Sequence, residues 1–98
     1  MFVGTLTFDL LLGDVHSLKG KRSVVRPIVA ELQRKYGVSA AEVGNQQLHR
    51  RAEIGCAVVS GDAGHVGEVL DGCERLVAGR PEVELLSVRR RFHGDDDD

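Results

Sequence analysis

Four cations crowd one short stretch of the chain: Lys19, Lys21, Arg22 and Arg26. The apolar spacing that follows places them around the start of a helix. The helix macrodipole favours anions there and disfavours each surface cation by a few tenths to about 1 kcal/mol. Free backbone N–H groups at a helix mouth, with Lys and Arg nearby, make a site for an anion or a phosphate. If the first turn is helical, Lys19, Arg22 and Arg26 fall at i, i+3 and i+7 along one line. A second reading stays open: a solvated charge run, or pairing with Asp9, Asp14 or Glu31.

Two further basic groups follow. Arg50 and Arg51 come after a connection that holds Asn45, Gln46, Gln47 and His49. Arg89, Arg90 and Arg91 close the last strand-like segment. By alternation Arg89 and Arg91 share a face with Thr5, Thr7, Glu53 and Arg51. That face is mixed in sign. It could receive a phosphodiester backbone, or be a solvated sheet face that uses charge against edge aggregation.

Other chemistry finds little support. His16, His49, His65 and His93 have no metal-ligand spacing with one another or with Cys56 and Cys73, so no metal and no cofactor are expected. Both cysteines fall on inward positions and read as reduced core thiols. Glycines at 61, 64 and 67 repeat G-x-x-G, which clamps RNA in one domain type, but here the stretch carries Asp62 and reads as a helix cap. There is no dinucleotide fingerprint, Walker loop or nucleophile elbow. An acylphosphatase-type hydrolase would need Arg22 or Arg26 near Asn45; its glycine-rich loop is absent, and Asn45 is expected to lie too far away.

The elements that must position these residues are legible. Residues 2–12 alternate, with Phe2, Gly4, Leu6, Phe8 and Leu10 on one face, and read as a strand. Val25, Ile28, Val29, Leu32 and Tyr36 form a helical stripe ending at Gly37. Pro27 inside it argues that the helix begins near Ser23 after a looser turn; a helix from Ser17 with a kink is the alternative. Strands follow at 38–43 and 51–60, joined as a hairpin. Asp62 caps a second helix with Val66, Val69, Leu70, Cys73, Leu76 and Val77 inward, although Gly64, Gly67 and Gly72 weaken it. The last strand spans 83–91 with Leu86 and Val88 inward.

The order βαββαβ specifies an α+β, ferredoxin-like sandwich: a four-stranded antiparallel sheet with two helices on one face. Residues 1–94 make that domain, and 95–98 are expected as an acidic disordered tail. The formal net charge is −2, and without the four terminal aspartates it is +2, so any positive surface must come from local clustering. Aromatics are 4% with no Trp, which limits base stacking. No leader and no membrane span are apparent, and a cytoplasmic protein is expected.

Ser17-Leu18-Lys19-Gly20-Lys21-Arg22-Ser23-Val24 resembles the S-L-K-x-K-R-S-V signature of the YlxP-like family of small bacterial proteins of unknown function. Residues 36–43 and 51–60 resemble its next two blocks, and the likeness runs over residues 1 to 92. The resemblance implies the ferredoxin-like fold and a bacterial setting near translation genes, with no established activity. By position its basic block is Lys19, Lys21, Arg22 and Arg26, and its hairpin-end motif includes Gln46, Arg51 and Glu53. His49 stands where many relatives place Trp.

The expected function is therefore a non-catalytic anion-binding module that is RNA- or ribosome-associated. Lys19, Lys21, Arg22, Arg26, Arg50, Arg51, Arg89 and Arg91 are its candidate contacts. A regulatory or assembly domain that forms a homodimer or binds a small ligand is the alternative.

Overall fold

The alternation of the first segment becomes β1 (Phe2–Leu12). Leu6, Phe8, Leu10 and Leu12 are buried on one side of it, while Thr5, Thr7 and Asp9 are half-buried on the other. The computed structural model describes residues 1–94; the expected tail at 95–98 lies outside the described residues.

The first helix, α1 (Leu18–Tyr36), begins a full turn before Ser23. Ser17 caps it, its Oγ accepting from the Gly20 N–H at 2.9 Å. Lys21, Val25, Ile28 and Leu32 are its buried residues, so the apolar stripe holds the first turn against the sheet. That anchoring outweighs the objection raised by Pro27, which is exposed, so the hydrogen bond it removes lies on the solvent side. Gly37 ends the helix at φ 64°, its N–H donating to the Gln33 carbonyl at 3.0 Å.

Next come β2 (Ser39–Gly44) and β3 (Arg51–Ser60), then α2 (Ala63–Ala78) and β4 (Val83–His93). Asp62 caps α2 by accepting from the Gly64 N–H at 2.9 Å. The sheet order is β2-β3-β1-β4, and each neighbouring pair is antiparallel. This is the ferredoxin-like arrangement: α1 packs against β2, α2 lies across β1, β3 and β4, and the other face of the sheet carries no helix. No helix among the described residues is long and apolar enough to cross a membrane.

Leu86 does not point inward. The β1–β4 register shifts between Asp9 and Leu10, pairing Leu85 with Leu10 and Ser87 with Asp9. The extra residue in β4 turns Leu86 outward, leaving it 44% exposed, and Leu85 takes the inward place beside Val88. The core unites Phe8, Ile28, Leu32, Ile54, Leu70 and Val77. Cys56 and Cys73 sit within it as free thiols. Their mutual hydrogen bond and burial push Cys56 far above the ordinary thiol range.

The close approach of α2 to β1 depends on Gly4. A Cβ there would overlap the Val66 Cγ1 and sit 2.7 Å from the Leu70 Cδ1. Gly67 on α2 has nothing within 4 Å of its missing Cβ. Gly4→Ala should therefore destabilise the fold by about 1–3 kcal/mol through overpacking. Gly67→Ala should stabilise it by up to about 1 kcal/mol through helix propensity. Denaturant melts of the two variants check the opposite signs.

Candidate anion-binding site

The candidate residues separate into groups that the fold treats differently. Lys21 is turned into the protein and is only 2% exposed. Its Nζ donates to the backbone carbonyl of Asn45 at 2.5 Å and lies 2.7 Å from the Glu42 Oε2. The second contact is an ion pair made off the hydrogen-bonding direction, since that oxygen has no hydrogen-bond partner. Lys21 is thus a buried tie between α1, β2 and the β2–β3 turn, with its charge already matched. It is not a surface contact for an anion.

Asn45 adopts φ 58°, a left-handed conformation that Asn tolerates better than most residues. This turn aims its carbonyl at Lys21 and brings the connection beside the first turns of α1. Asn45 is therefore near the helix start, contrary to the separation expected from sequence. What meets the helix there is its carbonyl.

Lys19, Arg22 and Arg26 are exposed on α1. They hold the i, i+3, i+7 line expected of a helical first turn. None has a carboxylate partner among the described residues, and the first turn of α1 contains no acid. Arg22 and Arg26 converge on a hollow of about 290 Å³ between α1 and the free edge of β2. Val25, Val29 and Ala30 line its helical side, and Gln33 and Glu42 complete it. The Gln33 Nε2 donates to the Ala40 carbonyl at 3.0 Å, holding helix and strand together along the hollow. The one carboxylate here, Glu42, is neutralised from beneath by Lys21. The hollow is therefore positive, with an apolar wall.

Arg50 lies at the same end of the sheet, where β1 ends and β3 begins. Its Nε donates to the carbonyls of Leu12 and Gly13 at 3.2 and 3.0 Å, which fixes the side chain against the β1–α1 loop. Beside it Gly13, Asp14 and His16 shape a hollow of about 320 Å³. The His16 Nε2 is 2.6 Å from the Asp14 Oδ1 in an exposed pair that adds little stability.

Arg51 is neutralised. Its Nη2 donates to both oxygens of Asp9, at 2.8 and 2.6 Å, and this contact holds its pKa above the ordinary guanidinium value. Arg89 and Arg91 lie on the open face of the sheet, opposite Thr7 and Thr5. Arg90 points to the helix side instead, 2.8 Å from Asp71 and 3.7 Å from Glu74. The eight candidates therefore form no single patch. Lys19, Arg22 and Arg26 sit in the helix layer beside β2. Arg89 and Arg91 sit on the opposite layer at the far edge.

The four aromatic rings all belong to the helix side or the core. Phe8 is buried, and Phe2 stacks on Phe92 with centroids 5.8 Å apart. Tyr36 lies against Gly72, with the Lys35 Nζ 5.7 Å from its ring centroid. The open face consequently offers no ring for base stacking. Among the described residues no three of His, Cys, Asp and Glu gather as a metal site.

Substitution separates the buried lysine from the exposed row. Lys21→Ala should cost about 3–5 kcal/mol, since it leaves Glu42 and the Asn45 carbonyl without their cation. Lys21→Met keeps most of the packed stem and should cost less. A urea titration reads both. A Lys21→Ala protein as stable as the wild type would contradict the buried tie.

Comparison with known proteins places the chain. Residues 3–90 match the family described as "Protein of unknown function (DUF503)". The "Uncharacterized protein YlxP" of Bacillus subtilis (strain 168) is 30% identical over 90 residues, covering 92% of this chain and 98% of that protein. The matched span runs from β1 into β4, and the chain belongs to the DUF503 family.

Proposed function

We propose that the protein is a non-catalytic anion-binding module of the bacterial cytoplasm, and that the anion is RNA phosphate. One observation carries this reading: Arg22 and Arg26 converge on a hollow whose only carboxylate is already matched by a buried lysine. Lys21, Arg51, Arg80 and Arg90 each have a carboxylate within 4 Å, while Lys19, Arg22 and Arg26 have none among the described residues. Other exposed cations also lack one, but Arg22 and Arg26 are the two that line this hollow.

The row opposes the helix dipole and repels itself at i, i+3 and i+4 spacing, by about 0.2–0.5 kcal/mol per pair. A bound polyanion would offset both terms. With no stacking ring on the open face, contact would run through the backbone and follow shape rather than base sequence. The translation setting implied by the family resemblance agrees with such a partner.

Fluorescence anisotropy with a short labelled RNA hairpin tests the reading. Three to five phosphate contacts predict a slope of roughly −2 to −4 in log affinity against log salt. Arg22→Glu with Arg26→Glu should weaken binding at least about tenfold and flatten that slope. Arg75→Glu, an exposed change on α2, should leave both nearly unchanged. A salt-independent signal, or equal losses in the α1 and α2 variants, would overturn the proposal.

A further inference from the structure

We infer that the open face of the sheet docks a second copy of this chain, face to face. The middle of that face is a shallow trough of about 500 Å³. Its floor is made of small side chains, Thr5, Thr7, Ala41, Gly55 and Ala57. Val43 and Val59 lie beside it, 55% and 63% exposed. Small residues let a second sheet approach to the ordinary packing distance of about 10 Å.

The charges on this face are arranged to complement themselves. Arg89 and Glu53 both border the trough, and neither has an ion-pair partner among the described residues. The register fixes their relation: Arg89 lies opposite Thr7, and Glu53 opposite Asp9. They stand on either side of β1, about two strand spacings apart and one pleat repeat along the sheet. The midpoint between them falls on β1 between Thr7 and Asp9. A two-fold axis lying in the interface and passing through that midpoint can set Arg89 of each copy on Glu53 of the other. Thr7 then falls near Gly55 of the second copy. Such reciprocity is what an isologous contact requires.

RNA fits this face less well. A phosphate placed on Arg89 would stand near Glu53 and Asp9; Arg91 lies one pleat repeat farther along β4, opposite Thr5, and Arg51 is held by Asp9. The available area also speaks for a modest dimer. Four strands about 4.8 Å apart and averaging about 30 Å long present on the order of 500 Å² per copy, so the pair buries on the order of 1,000 Å², the lower end for specific association.

Sedimentation velocity on the full chain, from about 5 to 500 µM, should show a monomer–dimer equilibrium with micromolar dissociation. Arg89→Glu alone, or Glu53→Arg alone, should weaken the dimer by roughly a hundredfold, because each sets like charges together twice. The double variant Arg89→Glu/Glu53→Arg should recover it, and so should mixing the two single variants. Circular dichroism melts confirm that each variant is folded. A wild-type monomer throughout the range overturns the inference, as does failure of the swap to restore association. Loss of RNA binding in Arg89→Glu with no change in sedimentation would reassign the face to RNA. The α1 variants test the RNA proposal separately, because they lie on the other layer.

Discussion

A lysine ammonium buried at the junction of three elements constrains everything around it. Moving such a charge out of water is tolerable only when partners replace its hydration. Here the replacements come from Glu42 on β2 and from the carbonyl of Asn45, which adopts a left-handed conformation. The arrangement fixes where the β2–β3 connection lies relative to the start of α1. It also settles the electrostatics above it, because a carboxylate bound from below no longer cancels the guanidinium groups of Arg22 and Arg26. An apolar residue in place of Lys21 could fill the space, but it would leave Glu42 as an unmatched anion in the hollow. The buried pair is better explained by the specificity it gives to this corner than by net stability.

The net charge of −2 conceals a division within the helix layer. On α1, Glu31 is the only acid, and Arg80 lies 3.3 Å from it. The rest of the outward surface of α1 is cationic or neutral. On α2, Glu68, Asp71 and Glu74 face outward, and the last two engage Arg90 from β4. One helix therefore leaves its outward cations without carboxylate partners among the described residues, while the other ties two of its acids to Arg90. An average over the chain could not show this, because surface fields depend on local clusters at separations near the Debye length of about 8 Å.

The topology was legible in the sequence because period-two and helical stripes are long and seldom interrupted here. What escaped has particular causes. The helical spacing of Val25, Ile28 and Leu32 runs back to Lys21 at i−4, so its inward position was available from phase alone. Its charge disguised it, since lysines are rarely buried without a partner and the partner lies in another element. The outward turn of Leu86 arises from a bulge whose register depends on β1, and nothing local in residues 83–91 announces it. Gly4 reads only as an inward position of a strand, and Gly72 as a weak point in a helix. They are places where Val66, Leu70 and Tyr36 come too close for any Cβ. The basic row was legible in full, but its convergence with Glu42 and Gln33 was not, because that hollow joins residues from separate elements.

The layered fold keeps the two proposed surfaces on opposite sides of the sheet. Lys19, Arg22 and Arg26 belong to the helix layer, while Thr5, Thr7, Gly55 and Arg89 belong to the bare face behind it. Two copies joined through their bare faces would turn both basic rows outward, on opposite sides of one rigid body. A ligand long or folded enough to reach both rows would gain from effective concentration with no new contact, whereas a short one would feel a single row. Backbone contacts on a row of three cations give modest affinity, so pairing is the economical route to tighter binding from a domain with no stacking ring on its open face. If the face receives a second sheet, the absence of aromatics on it and its small-residue trough share one physical reason: a surface packed against a second sheet has no room for the rings that would grip a base.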